Sequence, residues 1–119
     1  MADVIYISKD NMVSMGSWAA SVFGELIKPI FDEKIKSKVF KFFNCGIGSS
    51  IYFDELTVEE YNITYNLIKD FIERDLPQIP EWNGLDTTWI ITLWNNELND
   101  KMRKSPLYKN NAYLFEIKR

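Results

Sequence analysis

The chain has 119 residues and a mass of 14.0 kDa, and 46% of its residues are apolar, which is enough for one domain with a hydrophobic core. It contains no histidine and one cysteine, Cys45, which excludes a Ser-His-Asp or Cys-His catalytic arrangement and an intramolecular disulfide, and leaves too few ligands for a His/Cys zinc site. The net charge of -3 excludes a polybasic nucleic-acid arm and a wholly acidic solvating segment.

The N-terminal third predicts a strand followed by a helix. Val4 to Ile7 combines Val, Ile and Tyr and predicts a short strand. From about Val13, apolar residues recur three and four positions apart, which predicts a helix that Pro29 kinks or ends. Small residues that would let another element approach closely form one stripe of this helix, at Gly16, Ala20 and Gly24.

The next segment predicts a β-hairpin. Lys38 to Phe43 and Ser50 to Phe53 are both β-prone, and the Gly-containing residues 44–49 between them supply a turn. This turn matches neither phosphate-binding glycine motif, so we interpret it as a plain turn.

The clearest local signal is a helix start at Thr57. Thr57 and Glu60 have the spacing of a capping box, which predicts a helix that begins at Val58 and that Pro77 and Pro80 stop. Its apolar residues recur at helical spacing, and the opposite, polar face is formed by Glu59, Asn62, Asn66, Lys69 and Glu73.

The last third predicts a loop at 82–84, a helix over about 87–103 and a final strand from Ala112 to Ile117. Residues 87–93 (TTWIITL) would also serve as a buried strand, but apolar residues four apart favour a helix. We therefore expect an α+β fold over residues 1–119, a single compact domain with a small, mostly antiparallel sheet of three to four strands and about three helices.

Charge is distributed unevenly along the chain. Residues 34–41 carry four basic and no acidic groups, whereas residues 42–100 carry two basic and eleven acidic groups. The acidic residues are either ordinary solvated positions that pair with the lysines of 34–41, or a surface whose field attracts a basic partner and opposes nucleic acid.

Catalysis and nucleic-acid binding are weaker interpretations of the same residues. Adjacent carboxylates such as Asp54 and Glu55, or Glu59 and Glu60, diverge on a strand or helix and do not converge on a substrate. The lysines of 34–41 with neighbouring aromatics are more typical of a solvent face than of a nucleic-acid site. We therefore expect no enzyme, no catalytic residue, no metal, no cofactor and no direct nucleic-acid contact.

The N-terminal residues lack the basic and apolar regions of a signal peptide. The longest uncharged stretch, residues 11–24, is shorter than the roughly 17 residues needed to span a bilayer. We therefore expect a cytoplasmic protein with no membrane contact.

The run from Asp54 to Tyr61 resembles the start of an acidic helix in small bacterial immunity proteins, where T-x-x-E-[FY] opens a helix that faces a cationic nuclease toxin. An α+β chain looks more like the immunity proteins of contact-dependent growth inhibition than like the all-helical colicin-nuclease inhibitors. The resemblance implies an antitoxin that binds one basic toxin domain in the cytoplasm and blocks its active site or its access to substrate. The residues that it implies for the partner surface are Asp54, Glu55, Glu59 and Glu60, extended by Asn62, Asn66, Asp70 and Glu73.

Two functions remain open at the level of sequence. The first is this protein-binding inhibitor, for which reversal of Glu59 and Glu60 to Lys is expected to slow partner association and leave the fold intact. The alternative is a small-molecule-binding or adaptor α+β domain, which a deep apolar pocket lined by Trp18, Trp89 or Trp94 would distinguish.

Overall fold

A three-stranded sheet is built around β1 (Ala2–Ser8). The structure, a computed structural model, describes residues 2–41, 43 and 50–109. Ile5 and Ile7 are fully buried, as the two-residue period of a strand requires when one face is covered by the core. Strand β2 (Asn11–Gly16) pairs antiparallel with β1, and β3 (Ile51–Tyr52) pairs parallel with it, so the order is β2-β1-β3.

The first half of the chain contains two helices, α1 (Ser17–Ile27), which continues into a 3-10 turn (Lys28–Ile30), and α2 (Glu33–Val39). Pro29 lies in the 3-10 turn, where its missing N–H ends the α-helical ladder. Asp32 caps α2, because its Oδ1 accepts a hydrogen bond from the Ile35 amide at 2.8 Å.

The second half contains two longer helices with π-helical turns. Helix α3 comprises Val58–Asp70 and the π-helical turn Phe71–Asp75, and helix α4 comprises Thr88–Leu93, the π-helical turn Trp94–Leu98 and Asn99–Arg103. The predicted capping box is present: Thr57 Oγ1 accepts from the Glu60 amide at 3.1 Å, and Glu60 Oε1 accepts from the Thr57 amide at 3.0 Å.

The chain segment that connects α3 to α4 forms a second, two-stranded sheet. Its strands β4 (Glu81–Trp82) and β5 (Leu85–Asp86) are joined by Asn83 and Gly84, whose φ values are 51° and 79°. Two successive positive φ values are the geometry of a type I′ hairpin turn, which Asn-Gly favours. The segment predicted as a loop is therefore a tight hairpin.

One hydrophobic cluster joins the larger sheet to all four helices. Its most bulky fully buried side chains include Trp94, Tyr61, Phe23 and Phe53. The ring of Phe43 lies where a Cβ on Gly24 would stand, so the prediction that small residues of α1 allow a close approach is confirmed at Gly24.

The predicted fold class is confirmed, with four helices among the described residues instead of about three. The strand at 4–7, the helix beginning at Val58 and the helix over about 87–103 are also confirmed. The predicted strand from Ala112 to Ile117 lies outside the described residues, as do Cys45 and the turn at 44–49.

One predicted helix begins later than expected, and one predicted hairpin is wrong. The helix expected from about Val13 is present as Ser17–Ile27 and gives way to the turn that contains Pro29, so Gly16 lies before the helix. Residues 11–16 form β2, because Val13 is buried between exposed Met12 and Ser14, which is the alternation of a strand. Residues 33–39 form α2, whose buried positions Ile35 and Val39 lie four apart, so the predicted hairpin of 38–43 with 50–53 does not form. The strand within 50–53 exists as β3, but its partner is β1.

None of the helices in the described part of the chain combines the length and the apolar character needed to cross a bilayer.

Candidate protein-interaction surface

The first four residues predicted to contact a partner lie together where α3 begins, and we call them the α3 acidic cluster: Asp54, Glu55, Glu59 and Glu60. The first two occupy the turn between β3 and α3, and the other two lie in the first turn of α3. Carboxylates in that first turn interact favourably with the positive end of the helix dipole. Three of the four residues are exposed, whereas Glu60 is only 8% exposed.

Glu60 joins α2 to α3. Its Oε1 accepts hydrogen bonds from Lys38 Nζ at 2.6 Å and from the Thr57 amide at 3.0 Å, and Lys34 Nζ lies 3.8 Å from its Oε2. Burial raises the pKa of Glu60, but these hydrogen bonds and the charges of Lys38 and Lys34 outweigh burial, so the net pKa lies below its usual value of 4.5. Glu60 is therefore an ionised group with a structural role, and its reversal to Lys would disrupt the capping box and the link to α2.

The other members of the α3 acidic cluster differ in their pairing. Glu55 forms an ion pair with Lys41, which follows α2, and Glu60 pairs with Lys38 of α2. These lysines neutralise part of the cluster. Asp54 and Glu59 make no side-chain hydrogen bond or ion pair with any residue that the structure describes. These two exposed carboxylates are the members of the cluster that present uncompensated charge.

Asn62 lies under the chain that follows α4. It is fully buried, and its Nδ2 donates to the carbonyls of Val58 at 2.7 Å and Leu107 at 2.8 Å, while its Oδ1 accepts from the Lys109 amide at 2.7 Å. Asn66 is half-buried and donates to the Asn62 carbonyl at 2.9 Å. The face of α3 that was predicted to meet solvent is therefore covered at Asn62, which has no surface available to a partner in this conformation.

The last two predicted residues lie near the C-terminal end of α3. Asp70 is exposed and makes no side-chain hydrogen bond or ion pair within residues 2–41, 43 and 50–109. Glu73 accepts hydrogen bonds from Trp94 Nε1 and Lys69 Nζ, both at 2.9 Å. The Trp94 hydrogen bond, followed by Lys69, lowers the pKa of Glu73 below its usual value against the opposing effect of burial.

A cleft of about 520 Å³ adjoins the α3 acidic cluster, between the first turns of α2 and α3. We call it the α2–α3 cleft, and its lining residues are Asp32, Lys34, Ile35, Thr57, Val58, Glu59, Glu60 and Ile63. The sequence does not predict this cleft, because residues 33–37 are assigned no element and residues 38–43 are predicted as a strand. The signal that would have found α2 is Asp32 as a capping residue ahead of apolar positions four apart, at Ile35 and Val39.

The three tryptophans proposed to line an apolar pocket do not share one environment. Trp94 is fully buried and donates to Glu73, whereas Trp18 is 58% exposed. Trp18 packs against half-buried Trp89, with ring centroids 6.4 Å apart.

Among the residues that the structure describes, no group of three or more His, Cys, Asp or Glu side chains could hold a metal ion. Comparisons of the chain with protein-family models, with curated proteins and with solved structures found no match.

Proposed function

We propose that the protein is a non-enzymatic inhibitor of the immunity type, which binds a cognate basic, nuclease-type toxin domain in the bacterial cytoplasm through the exposed carboxylates of α3 and the turn before it. The single observation that carries this proposal is the uncompensated charge at Asp54, Glu59 and Asp70, in a chain that pairs many of its other carboxylates internally. A negative surface of this kind attracts a cationic protein over long range and opposes nucleic acid.

The carboxylates of the cluster support binding better than catalysis. Glu59 is exposed without an ion pair, while its neighbour Glu60 is buried against Lys38 and the Thr57 amide. Acid–base catalysis by two carboxylates needs one group whose pKa is raised so that it can donate a proton, whereas burial of Glu60 is outweighed by Lys38, the Thr57 amide and Lys34, which lower its pKa.

Capture from a lysate of the source organism tests the proposal when two charge-reversed variants are compared. Glu59→Lys changes the α3 acidic cluster, and Glu81→Lys changes an exposed carboxylate on β4 by the same charge. We expect wild type and Glu81→Lys to retain one stoichiometric basic protein at low salt and Glu59→Lys to retain much less of it. Equal retention by all three proteins would contradict a role for the cluster.

The α2–α3 cleft favours a second candidate, a small-molecule-binding or adaptor domain. Its volume of about 520 Å³ lies within the range of ligand pockets, roughly 300 to 1,000 Å³. For a small-molecule-binding domain we expect capture of no stoichiometric protein, together with a rise in thermal stability when the correct small molecule is added.

A further inference from the structure

One oxygen of the buried Glu60 carboxylate accepts no hydrogen bond. Oε1 has two donors, Lys38 Nζ and the Thr57 amide, but Oε2 has none, and Lys34 Nζ at 3.8 Å is too distant to donate to it. A buried, ionised oxygen without a donor is destabilising, and native structures rarely leave one without a partner. Glu60 lines the α2–α3 cleft, and its Oε2 is closed to solvent with Lys34 Nζ 3.8 Å away, so a ligand that displaces this lysine has a polar atom to satisfy.

The cleft has the chemistry of a site for a long cationic side chain. Apolar groups of Ile35, Val58 and Ile63 contribute to its lining, and methylene groups of a basic side chain would pack against them. Three carboxylates, from Asp32, Glu59 and Glu60, also line it, against the single ammonium group of Lys34. An anion is disfavoured because it would approach the buried carboxylate of Glu60.

Lys34 already occupies part of this charge environment, but loosely. Its side chain is 76% exposed, in contrast to that of Lys38, which is 31% exposed and donates to Glu60 Oε1. An exposed lysine held only by a long ion pair contributes little and is free to move away from Oε2.

We propose that the α2–α3 cleft binds an arginine side chain of the protein partner, whose guanidinium donates to Glu60 Oε2 and displaces Lys34. That the arginine belongs to a protein partner rests on the proposed function. A guanidinium fits better than a second ammonium, because its planar, rigid array of five donors reaches carboxylates on both sides of the cleft and is more weakly hydrated.

The test is a titration of the 15N-labelled full chain with the peptide acetyl-Gly-Arg-Gly-amide, followed by NMR. We expect saturable shifts at the amides of Ile35, Thr57 and Glu60, and much smaller shifts with the citrulline peptide, which has the same shape without the charge. The corresponding lysine peptide is expected to bind more weakly than the arginine peptide.

A pair of lysine variants separates the cleft from general electrostatics. Lys34→Ala removes the resident ammonium group. Lys104→Ala removes one whose side chain is similarly exposed, at 70%, and does not line the cleft. We expect Lys34→Ala to bind the arginine peptide about two- to fivefold more tightly than wild type, since a surface ion pair no longer competes, and Lys104→Ala to bind as wild type does.

Three results would overturn the proposal: no shifts at the cleft amides up to the solubility limit of the peptide, equal shifts with the citrulline peptide, or equal affinity of the two lysine variants. These results do not depend on capture of a protein. A partner retained through Glu59 without peptide binding in the cleft therefore removes this inference and leaves the proposed function standing. Peptide binding in the cleft without a captured partner removes the proposed function and the assignment of the arginine to a protein partner, and leaves the arginine site itself.

Discussion

At the scale of single residues, Glu60 shows how one carboxylate combines local and long-range roles. It closes the capping box of α3 and also holds Lys38 of α2, more than twenty positions earlier in the chain. A half-buried lysine and a free helix amide would both lose their acceptor without it. The side chain at this position therefore determines how α2 meets α3.

Replacement of Glu60 by Ala is expected to lower the free energy of unfolding by about 2 kcal/mol, since a charge-assisted hydrogen bond and half of the capping box are lost. Glu60→Gln keeps the cap and is expected to lose less. Urea unfolding measures both values, and Glu59→Ala is the control on an exposed neighbour. A loss in Glu60→Ala no larger than that in Glu59→Ala would contradict the structural role.

The stability of the protein should fall in acid because of Glu60 and Glu73. The pKa of each carboxyl is lower in the folded state than its usual value of 4.5, which holds in the unfolded chain. At a pH between the folded-state and unfolded-state pKa, the unfolded chain binds more protons, so stability increases with pH. Their contribution is complete above pH 4.5 and is lost as pH falls through the folded pKa values. Urea unfolding at neutral pH and at about pH 3 should show a smaller acid loss in Glu60→Gln than in wild type. The same acid loss in both proteins would show that Glu60 does not contribute.

At the scale of elements, the chain after α4 is fastened to α3 through Asn62. Three hydrogen bonds engage its amide, and two of them reach the backbone of residues 107 and 109. Because Asn62 is fully buried, removal of its amide leaves backbone groups without partners inside the protein.

Asn62→Ala is therefore expected to destabilise the fold by about 2 to 3 kcal/mol and to speed hydrogen exchange at the Lys109 amide. Asn66→Ala is the matched control, because half-buried Asn66 makes one hydrogen bond within its own helix. We expect that control to lose less than about 1 kcal/mol. If Asn62→Ala instead kept full stability and weakened only partner binding, Asn62 would act as a contact residue.

The elements differ in how far sequence predicts them. The start of α3 is determined by Thr57 and Glu60 three residues apart, so a local pattern suffices. The apolar residues of 11–16 fit two patterns: a helical spacing together with later residues, and the apolar–polar alternation of a strand. These residues form a strand because they pair with β1. The parallel pairing of β3 with β1 joins residues more than forty positions apart, which no local pattern specifies.

The sequence predicts which carboxylates lie together in the candidate site, but not which lysines pair with them. Sequence placed the carboxylates at the start of α3 correctly, and the helix start confirms their common location. It could not assign Glu60 to Lys38 or Glu55 to Lys41, because these pairs depend on how α2 packs. Burial of Asn62 depends on the course of the chain after α4, which is a tertiary contact.

At the scale of the whole molecule, the basic segment 34–41 and the acidic segment that follows it partly neutralise each other. Lysines of and after α2 pair with Glu60 and Glu55, so the formal charge difference between the segments overstates the field that a partner meets. Among the described carboxylates that stay outside such pairs, Asp54, Glu59 and Asp70 lie on α3 or in the turn before it and form a narrower negative surface. This surface is expected to increase the association rate constant, and salt should screen its field over about 8 to 10 Å.

The association rate constant of the captured basic partner, measured across a salt series, tests the central proposal most directly. We predict that the rate constant for wild type and for Glu81→Lys falls steeply as salt increases, and that Glu59→Lys associates several-fold more slowly at low salt with a shallower salt dependence. Circular dichroism of the variants verifies that the fold is kept. A rate constant that does not depend on salt, or that is the same for Glu59→Lys and wild type at low salt, would contradict binding through the acidic surface.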